Sequence, residues 1–124
     1  MNTEPYVYIA GKYHADSMVE IEENILEAKK LAVLCAKNGI RCFCPHMNSA
    51  FMNFYAPEAK WNFWMETDRL VIEKLCNCML MVCNWRSSKG AQVERELATE
   101  LGYPIFYEFN DLLEYTKAVT PSTR

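Results

Sequence analysis

Two carboxylates stand out as the residues of this chain that could carry out chemistry. Glu94 lies one turn into a predicted helix, and Asp68 falls among the inward positions of an earlier one. A carboxylate on a mostly buried face is costly unless it is paired, which makes Asp68 a functional candidate. Paired carboxylates suit glycosyl transfer, because one can attack the anomeric carbon while the other handles the leaving group's proton. The alternative is that Glu94 faces solvent beside Arg95 and Glu96.

The loop before Glu94 is typical of a site that holds a phosphate. Ser87, Ser88 and Lys89 offer hydroxyl and ammonium groups just before Gly90, at a predicted helix N-terminus. Unpaired N–H groups at such a terminus favour an anion. The sequence contains neither a P-loop, GxxxxGK[ST], nor the GxGxxG dinucleotide fingerprint, so redox chemistry with a dinucleotide is not expected. It also lacks a GxSxG elbow, and neither a metal nor another cofactor is expected.

The remaining site candidates lie in loops that follow predicted strands, and they are Gly11, Lys12, His14 and His46. In an open parallel sheet these loops and the Ser87–Gly90 loop emerge at the same carboxyl edge, where ligands bind. Tyr8 lies near the end of the first strand and could reach the same place. His14 could bind an anion or simply be exposed.

Hydrophobic patterning gives the elements that must position these residues. Strands are predicted at 6–10, 40–44, 78–83 and 104–107. Helices are predicted from Asp16 or Ser17 to Asn38, over 58–75 and 90–101, and after a cap at Asn110. This alternation predicts an α/β fold, a parallel sheet with helices on both faces. The strand at 78–83 is the most apolar and should be central.

The sequence does not determine how two stretches pack against the rest of the chain. Residues 46–57 are aromatic and rich in Met without a clear period. They either lie over a pocket, presenting flat faces to a flat ligand, or pack on a core of their own. In the helix at 58–75, the candidates for the inner face are Trp61, Met65, Leu70 or Ile72, and Leu75.

Length and charge exclude several classes of protein. The 124 residues suffice for one domain with a real core, expected over 1–118, with 119–124 as a flexible tail. A net charge of −3 gives no basic footprint for nucleic acid. No signal segment and no apolar run of membrane-spanning length is present, so a cytoplasmic location without membrane contact is expected.

The cysteines are predicted to be buried free thiols. All six lie in apolar segments, at positions 35, 42, 44, 76, 78 and 83, as in proteins of a reducing compartment. Zinc is the alternative, since Cys42-x-Cys44 is followed by His46 and Cys76-x-Cys78 comes later. The spacing argues against zinc, because these pairs are CxC within strands rather than Cys-x(2–4)-Cys on a turn.

Three pieces of the sequence resemble the nucleoside 2-deoxyribosyltransferase superfamily. They are VYIAG at 7–11, Thr67-Asp68, and SKGAQVERELA at 88–98. They are most similar to a small phage and bacterial branch of unassigned function and to the deoxynucleoside 5′-monophosphate N-glycosidases. The Gly90-x3-Glu94-x3-Ala98 element carries most of this resemblance, which covers residues 6–107 in order.

The resemblance implies a flavodoxin-like (Rossmann-like) sheet and cleavage of the bond between a nucleobase and (2-deoxy)ribose. The glutamate matching Glu94 attacks C1′ in that family and forms a covalent glycosyl-enzyme, which water or a second base resolves. The aspartate matching Asp68 works at the base and its proton, and the tyrosine matching Tyr8 orients the nucleophile. A carboxylate near a helix N-terminus is expected to stay ionised, in agreement with this role. A homodimer or higher homo-oligomer is also implied.

Departures from the family pattern bear on the substrate. The transferases have an acidic residue six positions before the nucleophile, where this chain has Ser88, as in the N-glycosidases, whose serine contacts the 5′-phosphate. The glycosidases carry a serine and an arginine where Lys12 and His14 stand. A 5′-phosphorylated nucleotide and hydrolysis are therefore expected. A protein that only binds a nucleotide, and a glycohydrolase of NAD-like dinucleotides, remain alternatives.

Overall fold

The computed structural model describes residues 4–119, which form a four-stranded, all-parallel sheet in the order β2-β1-β3-β4. The strands are β1 Tyr6–Ala10, β2 Arg41–Phe43, β3 Cys78–Met81 and β4 Ile105–Phe106. The helices are α1 Met18–Lys37, α2 Pro45–Asn48, α3 Met52–Tyr55, α4 Trp61–Lys74, α5 Lys89–Glu100 and α6 Phe109–Val119. A 3-10 turn, Trp85–Ser87, precedes α5. This is the predicted α/β, flavodoxin-like fold.

The two central strands are apolar at every position because both faces of the sheet are covered. Side chains alternate along β1, so Tyr8 and Ala10 pack in one cluster with α4 and α5. Val7 and Ile9 point to the opposite face, against α1, and on that face α6 packs as well. The register pairs Tyr8 with Met79 on β3 and with Phe43 on β2. Helices on both faces and a central β3 are thus confirmed.

Helix ends follow the capping residues of the sequence. Of the two candidates, Ser17 caps α1, and its hydroxyl oxygen accepts a hydrogen bond from the Glu20 N–H. Pro45 starts α2 because its fixed φ suits a first helical position. Asn110 was expected to cap the last helix, but it lies inside α6, which begins at Phe109. Of the predicted tail, Val119 ends α6 and residues 120–124 lie outside the described part.

Of the alternatives Leu70 and Ile72 for the inner face of α4, Ile72 is the buried one, while the prediction is wrong for Trp61 and Leu75. Trp61, Leu70 and Leu75 are 51%, 45% and 45% exposed, while Ile72 is fully buried. The face that turns inward continues through Asp68, which lines a cleft rather than the apolar core.

The cysteines form no disulfide among the described residues. Cys83 follows β3 and is exposed, so the prediction of a buried thiol is wrong for it, and Cys42 is only half-buried. No three His, Cys, Asp or Glu side chains between residues 4 and 119 are grouped so that they could hold a metal ion. In the same range, no helix is long and apolar enough to cross a membrane.

Candidate active site

A cleft of about 710 Å³ opens at the carboxyl edge of the sheet. Its lining includes ten of the eleven site residues expected from the sequence, namely Gly11, Lys12, His14, His46, Asp68, Ser87, Ser88, Lys89, Gly90 and Glu94. The eleventh, Tyr8, is fully buried and contacts the cleft residue Glu94 through its hydroxyl group. The parallel topology therefore brings together loops that are up to 79 residues apart in the sequence, from Gly11 to Gly90.

Glu94 lies at the floor of this cleft and is only 7% exposed. Small residues surround it on its helix face, because Gly90, Glu94 and Ala98 recur at intervals of four. A Cβ on Gly90 would lie 3.3 Å from the Met65 Sδ, so a glycine lets α5 approach α4 closely there. The buried Tyr8 donates a hydrogen bond from its hydroxyl to Glu94 Oε2 at 2.8 Å.

Asp68 projects from α4 into the same cleft and interacts electrostatically with Glu94. Burial raises the pKa of Asp68 from 3.8 to about 6, although hydrogen bonds with Glu94 and Tyr8 oppose the shift. Burial and the nearby charge of Asp68 raise the pKa of Glu94 well above its ordinary value, while the Tyr8 hydroxyl acts in the opposite direction. The two carboxyl groups therefore titrate as a coupled pair, with both pKa values raised.

This pairing corrects one expectation. A place near a helix N-terminus suggested that Glu94 stays ionised, but burial and a second carboxylate outweigh the helix dipole. Tyr8 also stays neutral, because burial and then the charges of Glu94 and Asp68 raise its pKa well above 10.0. The site thus holds two carboxyl groups whose pKa values are both raised, with a phenol that donates to one of them.

The loop before α5 ends in a capped helix start. The Ser88 Oγ accepts a hydrogen bond from the Ala91 N–H at 3.1 Å and so caps α5, which leaves its own hydroxyl hydrogen free to donate. Ser87 donates to the Asn84 carbonyl oxygen at 3.0 Å. The exposed Lys89 carries its ammonium group beside the cleft.

The loop after β1 is fixed by a very close backbone approach. A Cβ on Gly11 would lie 2.5 Å from both the Cβ and the Cγ2 of Val82. The same contact brings the Lys12 N–H to the Asn84 Oδ1, at 2.9 Å. Glycine is therefore needed here for space, and Asn84 ties this loop to the end of β3.

Replacing Gly11 with Ala should therefore destabilise the fold by about 1–3 kcal/mol or more, as overpacking in a core does. The chain can relieve the clash only by moving the loop away from Val82, which breaks the Lys12–Asn84 hydrogen bond. Chemical denaturation of the variant would measure the loss. Gly90→Ala is the matched control, because its new methyl would lie 3.3 Å from the Sδ of Met65, a flexible side chain that can move, and 3.9 Å from the Ser88 Oγ. Equal stability for the Gly11 variant and the wild type would contradict the close approach.

His46 supports the site from below rather than as a free cation. It is 3% exposed, and its Nε2 lies 2.9 Å from the Lys12 carbonyl oxygen, to which it donates. Burial lowers the pKa of His46, so the ring is neutral. Its Nδ1 has no hydrogen-bond partner among residues 4–119. His46 thus helps hold the loop that carries Lys12, and direct contact with a substrate stays a prediction. His14 is exposed on the rim.

Sequence reasoning missed the aromatic wall of the cleft. Trp61 and Trp64 line it from α4. Trp64 lies three residues after Trp61 and four before Asp68, a helical spacing that the sequence displays. The segment 46–57 does border the cleft, but through His46, Ser49, Asn53 and Pro57 rather than through its Phe or Tyr residues. Flat faces are thus present, on a different element from the one proposed.

Tyr13 is a further residue that the sequence did not single out. Its hydroxyl accepts a hydrogen bond from the Phe51 N–H at 2.8 Å and lies 3.1 Å from the Asn53 Oδ1. Phe51 has a left-handed φ of 60°, between α2 and α3. Tyr13 thus joins the loop after β1 to the opposite wall, and only its loop position hinted at this.

Comparison with known proteins adds one finding. A family model described as a domain of unknown function (DUF4406) matches residues 5–107, which is most of the chain and all of the cleft. No curated protein and no solved structure matches the chain significantly.

Proposed function

The chain belongs to the DUF4406 family, and from the geometry of its cleft we propose that it cleaves the N-glycosidic bond of a (deoxy)nucleoside 5′-monophosphate. The observation that carries the proposal is the group formed by the buried Tyr8 and Glu94 and the half-buried Asp68 at a cleft of about 710 Å³. Two carboxyl groups that share a proton can supply one nucleophile and one acid, as glycosyl transfer requires. The resemblance of VYIAG, Asp68 and Gly90-x3-Glu94-x3-Ala98 to the nucleoside 2-deoxyribosyltransferase superfamily supports the same chemistry.

The first step transfers the sugar to the protein. Because Oε2 of Glu94 accepts from Tyr8, Oε1 is the oxygen that attacks C1′. The C1′–N bond breaks as the C1′–O bond forms, and its electron pair goes to the base. The proton of the carboxyl pair passes from Glu94 to Asp68 before the attack, and Asp68 then gives it to the leaving base, which departs neutral. Glu94 is then an uncharged ester, and Asp68 carries the single negative charge of the pair.

The second step returns the site to its starting state. A water molecule attacks C1′ and gives a proton to Asp68, the C1′–O bond to Glu94 breaks, and its electron pair returns to the carboxylate. The products are the free base and (deoxy)ribose 5-phosphate. If a second base attacks instead of water, the same intermediate gives transfer. The pair ends with one proton and one charge, so no external acid is needed.

The 5′-phosphate is assigned to the amino end of α5. Ser88 has a free hydroxyl hydrogen, Lys89 an ammonium group, and the helix start has unpaired N–H groups. Glu94 is six residues after Ser88, which is about 9 Å along a helix axis at ~1.5 Å per residue. That span suits a ligand whose C1′ and 5′-phosphate lie at opposite ends of one sugar. Lys12 and His14 line the cleft as further cationic or polar groups.

Replacing Ser88 with Ala and Lys89 with Met together should raise KM for a monophosphate by about tenfold or more, since charge-assisted hydrogen bonds are lost. KM for the matching nucleoside should change little. Loss of the Ser88 cap should also lower stability by about 1 kcal/mol, so assays belong well below the unfolding temperature. Initial-rate measurements on the two substrates give the ratio. Equal increases in KM for both would remove the phosphate assignment.

The test of the proposal is a panel of ribo- and deoxynucleoside 5′-monophosphates, with chromatographic detection of released base. Release from at least one member, lost in Glu94→Ala, supports the proposal. Tight binding without release, retained in the Ala variant, would assign a binding protein instead. NAD is included, since its consumption alone would assign a dinucleotide glycohydrolase. A homodimer is part of the proposal, and sedimentation of the protein used in the assay tests it.

A further inference from the structure

Lys89 and Trp61 meet beside the cleft. The Lys89 Nζ lies 5.6 Å from the centroid of the Trp61 ring, over its face. Both residues line the cleft, and each is the first residue of its helix, so the contact joins the amino ends of α4 and α5. Within the described range, no carboxylate forms a salt bridge with Lys89. The indole is therefore the structure's own partner for this ammonium group.

Packing does not explain the place of Trp61. Half of its surface is exposed at the start of α4, where a buried position was expected, and Ile72 rather than Trp61 fills the core. Its neighbour Trp64, by contrast, packs edge-on against Phe63 with ring centroids 4.9 Å apart. The face of Trp61 instead receives Lys89, while the close approach of Gly90 to Met65 keeps the two helix starts together.

We propose that Trp61 is a positioning residue, which holds the ammonium group of Lys89 beside the cleft before a phosphate arrives. A free lysine side chain samples many rotamers, and its confinement must be offset when it binds an anion. A cation over an aromatic face has already lost part of that freedom, so less is lost when the phosphate binds. The inference rests on the proposed function in one respect, that Lys89 binds the substrate phosphate.

The test measures binding of inorganic phosphate to the full chain by calorimetry. It compares the wild type with Trp61→Leu, Lys89→Met and the double variant. Trp61→Leu should weaken phosphate binding about two- to fivefold, the worth of an exposed cation–π contact. Lys89→Met should weaken it more, and adding Trp61→Leu to Lys89→Met should have no further effect, because the indole acts through the lysine.

Two further variants separate positioning from general damage. Trp61→Phe keeps an aromatic face and should restore most of the affinity lost in Trp61→Leu. Leu70→Ala removes an exposed apolar side chain of α4 that does not line the cleft, and phosphate affinity should not change. Circular dichroism of each variant verifies that it is folded.

Each outcome decides the inference. An unchanged affinity in Trp61→Leu, or additive losses in the double variant, would overturn it. A wild type that shows no saturable binding of phosphate would reject it together with the phosphate subsite. Phosphate binding requires no bond cleavage, so coupling between Trp61 and Lys89 would uphold the inference even if no nucleotide were hydrolysed. Base release without this coupling would support the proposed function and reject the inference about Trp61.

Discussion

Glu94→Gln should abolish release of base from a nucleoside 5′-monophosphate, with a loss of about 10⁴-fold or more in kcat, as for removal of a nucleophile. Glutamine keeps the size of the side chain and can still accept the hydrogen bond from Tyr8. It has no carboxylate oxygen to attack C1′, so the covalent step cannot occur. Steady-state rates with the best substrate of the panel measure the effect.

Glu96→Gln is the matched control, since it makes the same change two residues further along α5 on an exposed side chain. It should retain nearly wild-type rates. A Glu94→Gln variant that released base within tenfold of the wild type would show that another group performs the attack.

The same variant should be more stable than the wild type at high pH. Burial and Asp68 raise the pKa of Glu94 in the folded state, so the native protein binds this proton more tightly than the unfolded chain. The stability it contributes is full below the unfolded pKa of 4.5 and is lost as pH rises through the folded pKa. Glutamine removes that loss. Thermal unfolding should show a gain of about 1–3 kcal/mol at pH 8 that shrinks towards pH 4. A gain independent of pH would contradict the shared proton.

Asp68→Asn should slow the release of an ordinary purine by about 10²–10⁴-fold, the usual worth of a general acid. The expected loss depends on the leaving group. A purine methylated at N7 carries a positive charge and departs without receiving a proton, so its release should slow much less. Removing Asp68 also lowers the pKa of Glu94, because a repelling charge is gone, although burial, the larger cause, still raises it. Rates on the ordinary and the N7-methylated purine nucleotide give the comparison.

Glu66→Gln supplies the control on the same helix, where Glu66 faces solvent and pairs with Arg69. It removes one negative charge without touching the cleft. Equal losses on the two purine substrates in Asp68→Asn would contradict proton donation and leave Asp68 with a role in binding or structure.

The sheet and its edge could be predicted because apolar runs and loop residues are local signals. Strands such as β3 are continuous in the sequence, and parallel topology alone then brings the loop after Ala10 and the start of α5 to one rim. Asp68 was found because a carboxylate at an inward position is unusual, and Glu94 because it lies one turn into a helix that follows a polar loop. Their proximity, however, depends on how closely α4 approaches α5, and the absence of a side chain at Gly90 allows this close approach.

The features that were missed depend on tertiary packing. The ionisation of Glu94 is set by its burial and by Asp68, which outweigh the helix start that the sequence displays. The hydrogen bonds of Tyr13 and His46 run to backbone groups of distant segments, for which no sequence pattern exists. Trp61 was assigned to the core because the hydropathy of tryptophan is the same whether its indole packs in a core or lies against the ammonium group of a lysine.

Intact-mass analysis after rapid acid quenching tests the central claim most directly. The wild type would be mixed with a saturating nucleotide substrate and quenched within one turnover. We expect a species heavier by one (deoxy)ribosyl 5-phosphate unit, with the adduct on the peptide that contains Glu94 and absent from Glu94→Gln. Base release without any adduct, or an adduct on a different residue, would contradict the account of Glu94 as the nucleophile.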